Sequence, residues 1–158
     1  MPSCKEMLLN ILNNTQAQLK DSLSPFQTEC LDMFQIKIKA IPVDERTEMD
    51  SKIGIILLDH CFCDLDNLFG SEDRIISLIN KRNLNDNDFF KQVNQIFDDE
   101  IKALNQYALE SFYAQTFKPV KNILIDMKNE LTRLKTSLDQ QLSDTQSSPE
   151  YQTRYGLN

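Results

Sequence analysis

Seven apolar residues near the end of the chain are separated by alternating intervals of three and four residues. They are Phe117, Val120, Leu124, Met127, Leu131, Leu134 and Leu138. This spacing repeats every seven residues, and on an α-helix it produces one continuous apolar seam. The seam covers three repeats and ends at Gln141, where a polar residue takes the next position. The pattern predicts a long helix that buries one side against another helix.

Two interpretations of this seam are open. In the first, the helix packs on the other helices of its own chain. In the second, it forms a coiled coil with another chain, for which three heptads are near the minimum length. The second interpretation identifies these partner-binding residues: Leu124, Met127, Leu131, Leu134 and Leu138.

The rest of the chain has the pattern of helices separated by a few breakers. Only three glycines and five prolines occur in 158 residues, and apolar residues recur every three or four positions between them. Helices are predicted over about residues 4–22, 25–41, 44–69, 71–82 and 86–116, before the seam helix. The predicted fold is all-α, a helical bundle of five to six helices with long C-terminal helices. Residues 1–142 are expected to form one bundle domain, and residues 143–158 a polar, flexible tail.

Some local features of this prediction depend on single residues. Ser24 and Gln27 have the spacing of a capping box at the start of the second helix. Residues 35–41 alternate between polar and apolar and fit a short strand as well as a helix, although no partner strand is evident. Pro119 either opens a new helix or kinks a longer one.

Charge is unevenly distributed along the chain. The net charge is −7, which disfavours nucleic-acid binding because that binding depends on neutralising phosphates. Residues 86–100 are acidic and residues 118–135 are basic, so the two consecutive helices are expected to pack antiparallel. The basic stretch also suits an acidic partner or a membrane surface, through Lys118, Lys121, Lys128, Arg133 and Lys135.

The segment around the only histidine holds the side chains best suited to a metal ion. His60, Cys61 and Cys63 supply the imidazole and thiolate groups that zinc prefers. No second cluster of cysteine and histidine completes such a site in this sequence. A small helical metal-binding protein is therefore an alternative, while the main prediction is that the chain needs no cofactor or metal and is not an enzyme.

The cysteines and the apolar runs indicate the compartment. The chain has only four cysteines, and all but Cys63 take positions where a buried thiol would fit: Cys4, Cys30 and Cys61. The longest fully apolar run after the N-terminus, residues 55–58, is far shorter than the ~20 residues of a membrane span. The first residues lack the regions of a signal peptide. We expect an intracellular, cytoplasmic protein without a membrane span.

Long amphipathic helices without a catalytic motif are typical of proteins that bind other proteins. We therefore expect a non-catalytic protein–protein interaction module, such as an adaptor, a scaffold or a subunit of a larger assembly. Its partners would be other chains or a second copy of itself. A secreted helical-bundle signalling ligand is an alternative, and it requires two disulfides among the four cysteines.

Overall fold

The computed structural model describes residues 4–41, 60–63, 74–81, 84–110 and 114–147. These ranges contain α1 (Cys4–Gln18), α2 (Pro25–Lys39), α3 (Ile75–Asn80), α4 (Asp86–Glu110) and α5 (Ala114–Ser147). Residues 60–62 are helical as well, and the described ranges contain no strand. The predicted all-α fold is confirmed.

Several boundaries differ from those expected. Helix α2 continues through Lys39, so the alternative of a strand at residues 35–41 is wrong. Helix α5 begins before Pro119 and contains it, although proline lacks the N–H that would bond to the carbonyl one turn earlier. A new helix opening at Pro119 is therefore also wrong. The structure describes α4 up to Glu110, and residues 111–113 of the predicted helix lie outside the described ranges.

Other predicted segments fall partly outside the described ranges. Of the predicted helix at 44–69, the structure describes only residues 60–63. Helix α5 extends to Ser147, five residues into the segment that the sequence assigns to a tail. Residues 148–158 lie outside the described part, and the division into domain and tail stays a prediction.

The start of α2 is fixed by the predicted capping box. The Ser24 hydroxyl accepts a hydrogen bond from the backbone N–H of Gln27 at 3.1 Å. In return, the backbone N–H of Ser24 donates to the Gln27 side-chain oxygen at 3.0 Å. Two N–H groups that the helix cannot satisfy itself are thereby bonded, and Pro25 occupies a position where its missing N–H costs nothing.

Helices α1 and α2 form an antiparallel pair. Lys5, near the start of α1, donates through Nζ to the carbonyl oxygens of Lys39 and Ile41, each at 2.9 Å. Further along α1, the Gln16 amide donates to the Asp32 carboxylate at 2.9 Å. The two helices therefore run side by side from the α1–α2 turn to the far end of α2.

Helices α4 and α5 form a second antiparallel pair. Asp98 on α4 and Lys128 on α5 are joined by an ion pair, and the Lys135 ammonium lies 5.9 Å from the ring centre of Phe90. Later residues of α5 thus contact earlier residues of α4, as two antiparallel helices do. The antiparallel packing predicted from the opposite charges is confirmed.

Aromatic side chains join these pairs in one core. The Phe34 ring, on α2, lies 5.2 Å from Phe62 and 5.9 Å from Phe97 of α4, edge to face in both cases. All three rings are fully buried. Phe34 therefore connects α2, α4 and the helical turn at residues 60–62, and α5 covers the same cluster through its apolar side.

Candidate functional site

The seam residues are divided between the core and its edge. Leu124, Met127 and Leu131 have no exposed surface and belong to the core cluster. Leu134 and Leu138 are half-buried and pack against its margin. The first three are covered by this chain's own helices, so a partner could reach them only if α5 separated from the bundle. Partner binding through the five residues stays a prediction.

The basic residues of α5 are largely engaged within the chain. Lys128 pairs with Asp98, Arg133 with Glu130 at 2.8 Å, and Lys135 with Asp139 at 2.5 Å. Lys118 and Lys121 form no ion pair with any residue that the structure describes. Three of the five positive charges proposed for an acidic partner or a membrane are thus already neutralised internally.

The C-terminal part of α5 projects past the N-terminal end of α4. Because Lys128 is level with Asp98 and Lys135 with Phe90, continuing the register places Asp139 level with Asp86, the first residue of α4. Residues 140–147 extend further, by about 12 Å at 1.5 Å per residue. The side chains of residues 139–144 are all exposed.

One apolar stripe runs onto this projecting end. Leu134, Leu138 and Leu142 lie four residues apart and therefore on one side of the helix. The first two are half-buried, whereas Leu142 is 53% exposed. The stripe leaves the core and continues into solvent.

A cavity of about 730 Å³ lies at the same end of the bundle, next to the start of α4. Its apolar lining comes from Leu19, Leu23, Ile79 and Leu84, and its other lining residues are polar, among them Ser24, Lys81 and Asp86. Ser24 Oγ and Asp86 Oδ1 are 2.6 Å apart, which holds two of these polar side chains together. Protein-binding surfaces generally combine apolar and polar side chains in this way.

A second, smaller cleft of about 370 Å³ lies between α3 and α4. Its polar side chains are Arg74, Gln92, Gln95, Asp99 and Glu100. Burial raises the pKa of the Glu100 carboxyl, and the nearby positive charges of His60 and Arg74 only partly oppose this. The Nε of Arg74 is buried without a hydrogen-bond partner.

The described cysteines of the predicted metal-binding segment are part of the hydrophobic core or pack against it. Cys61 is fully buried and Cys63 is half-buried, and both belong to or pack against the core. The described residues contain no group of three or more histidine, cysteine or acidic side chains that could hold a metal ion. None of Cys30, Cys61 and Cys63 is in a disulfide. None of the helices in the described ranges has the length and apolarity to cross a membrane.

Sequence reasoning missed the cleft between α3 and α4 because its residues are distant in the chain. The sequence placed Glu100 only in the acidic stretch at residues 86–100, yet Glu100 lies seven residues after Val93 and four before Leu104, both buried on α4. A carboxylate in that register sits beside the apolar side of the helix, and this spacing was the available signal. No family model matches this chain, and neither a curated protein nor a solved structure matches it.

Proposed function

We propose that this chain is a non-catalytic protein–protein interaction module, an adaptor, scaffold or assembly subunit, that binds an amphipathic helix of another protein. The binding surface would be the projecting end of α5 together with the adjacent cavity, here called the distal face. The observation that carries the proposal is the exposure of Leu142, in line with the half-buried Leu138 and Leu134. A partner helix that covered this stripe would remove apolar surface from water.

Charge on the distal face specifies the chemistry of the partner. Asp86 and Asp88 lie in the first turn of α4, and Asp139 and Asp144 lie on the exposed end of α5. Lys81 also lines the cavity, so these four carboxylates outnumber its single positive charge. Asp139 already pairs with Lys135, while Asp88 and Asp144 form no ion pair with a described residue. A partner helix with an apolar side flanked by lysine or arginine fits this surface, whereas a second copy of the same acidic face would be repelled.

The described thiols support an intracellular, cytoplasmic site of action for such a module. Cys30 is fully buried and in no disulfide, as is usual in a reducing compartment. This favours the interaction module over the secreted ligand, which needs two disulfides.

The proposal can be tested with two designed peptides of about 18 residues, long enough to hold helical structure. Both carry a leucine face, one flanked by lysines and the other by glutamates, and binding is followed by fluorescence anisotropy. We expect the lysine peptide to bind and Leu142→Ser to weaken it about tenfold, the loss expected for one buried leucine.

The matched control is Ile36→Ser, which removes another exposed aliphatic side chain near the opposite end of α2. Ile36 is 65% exposed, and its replacement should leave peptide binding unchanged. Equal binding of the glutamate peptide, or unchanged binding by the Leu142→Ser variant, would overturn the proposal.

A further inference from the structure

The cleft between α3 and α4 carries opposite charges on its two walls. Arg74 contributes a guanidinium from the residue that precedes α3, and Asp99 and Glu100 contribute carboxylates from α4. No ion pair joins Arg74 to either acid among the residues that the structure describes. Charges that lie in one small cleft without touching each other leave room for a ligand between them.

The arginine also has hydrogen-bonding capacity that the protein does not use. Its Nε is buried and has no partner. Because this Nε has no accessible surface, an acceptor in the open cleft would meet the guanidinium through its terminal nitrogens. Carboxylates and phosphates both have oxygens that match a guanidinium, and the acidic residues of this cleft repel a singly charged carboxylate less than a phosphate.

The acidic wall excludes a simple anion and favours a cationic group beside it. Glu100 is half-buried, and Asp99 is adjacent to it at the exposed edge. Two carboxylates would repel a further negative charge, whereas an ammonium group would be attracted to them, against the opposing charge of His60 near Glu100, and could donate up to three hydrogen bonds. Conversely, a simple cation would be repelled by Arg74.

The uncharged residues that line the cleft suit the carbon skeleton of a small molecule whose two charged groups face opposite walls. Leu78 and Ile96 provide apolar surface, and Gln92 and Gln95 provide amides that can both donate and accept. The volume of about 370 Å³ lies in the usual range for small-molecule sites, roughly 300–1,000 Å³.

We infer that this cleft binds a small zwitterion of the size of a free α-amino acid, with its carboxylate on Arg74 and its ammonium on Glu100 and Asp99. This site is separate from the distal face, and it does not depend on the function proposed for that face.

The test is isothermal titration calorimetry of the full chain with a panel of free amino acids. For any amino acid that binds, the amine and the carboxylic acid that each keep one of its charges are titrated in parallel. We expect at least one amino acid to bind, and each single-charge analogue to bind at least about tenfold more weakly, since it loses the charge-assisted hydrogen bonds to one wall of the cleft.

Two variants locate the site. Arg74→Gln and Glu100→Gln should each weaken binding by about tenfold or more. Glu100→Gln neutralises its charge at nearly constant side-chain volume, and Arg74→Gln replaces the guanidinium by a shorter neutral polar group. Arg133→Gln and Glu130→Gln are the matched controls, because this exposed pair on α5 lies outside the cleft, and they should bind like the wild type. Circular dichroism of each variant verifies that it is folded.

Three results would overturn the inference. The first is that no amino acid binds at millimolar concentration. The second is that an amine or an acid alone binds as tightly as the zwitterion, which would mean that only one wall of the cleft is used. The third is that folded Arg74→Gln and Glu100→Gln variants keep wild-type affinity, which would place the ligand elsewhere.

Discussion

The Ser24 hydroxyl bonds to the carboxylate of Asp86 at 2.6 Å, although the two residues are 62 positions apart. Ser24 is the N-cap of α2, and Asp86 is the first residue of α4. One side chain therefore caps its own helix and ties it to the start of another. The contact fixes these two helix ends side by side at the distal face.

We expect Ser24→Ala to lower the free energy of unfolding by about 1–2 kcal/mol, because an N-cap and a tertiary hydrogen bond are lost together. Urea denaturation followed by circular dichroism measures the change. A double-mutant cycle with Asp86→Ala separates the two contributions, and Ser22→Ala, at an exposed position in the α1–α2 turn, serves as the control. If the cycle gave no coupling energy, the bond to Asp86 would contribute nothing to stability.

The centre of the aromatic core should be far more sensitive to substitution than its surface. Phe34 contacts both Phe62 and Phe97, and we expect Phe34→Ala to cost about 3–5 kcal/mol through lost burial and a cavity. Ile36→Ala, two residues away on the exposed side of α2, should change stability by less than about 0.5 kcal/mol. Thermal and urea unfolding of both variants test this contrast, and similar losses in the two would mean that Phe34 is not a core residue.

Features set by neighbouring residues could be predicted from the sequence. The capping box of Ser24 and Gln27 involves positions three apart, and the helix propensities and spacing around it agree. The antiparallel contact of Asp98 with Lys128 was also accessible, because the two charged stretches lie on consecutive helices. The capping box follows from a local sequence pattern, and the helix contact follows from the distribution of charge.

Features that depend on distant contacts could not be predicted. Whether the seam is core or interface depends on which helices cover Leu131, and spacing alone is the same in both cases. The proximity of Arg74 and Glu100 depends on how α3 packs on α4. The bond from Ser24 to Asp86 likewise requires two helix starts to meet, for which the sequence contains no signal.

The seam can be divided experimentally into its core and exposed parts. We expect Leu131→Ala to destabilise the fold by about 2–5 kcal/mol, whereas Leu142→Ala should stay within about 0.5 kcal/mol of the wild type. Replacing both Leu131 and Leu134 with Asp should unfold the chain, since a buried carboxylate without a partner is strongly unfavourable. Retained helical signal in that double variant, measured by circular dichroism, would show that the seam is a surface rather than core.

The half-buried carboxyl of Glu100 predicts a specific dependence of stability on pH. Burial raises its pKa in the folded protein above the ordinary value of 4.5, against the opposing charges of His60 and Arg74, while Asp99 adds to the rise. The folded state therefore holds this proton more tightly than the unfolded state. Stability is lost as the pH rises from the ordinary pKa through the raised one, and the loss persists at neutral pH.

Glu100→Gln removes that loss, so we expect the variant to melt at a higher temperature than the wild type at about pH 8, with the difference shrinking towards about pH 4. Differential scanning calorimetry across this range gives the curve. Glu130→Gln is a control of opposite sign, because the hydrogen bond from Arg133 lowers the pKa of Glu130, so its exposed charge helps the fold slightly at neutral pH. A lower melting temperature for Glu100→Gln at about pH 8 would mean that attraction to His60 and Arg74 outweighs the burial of the carboxylate.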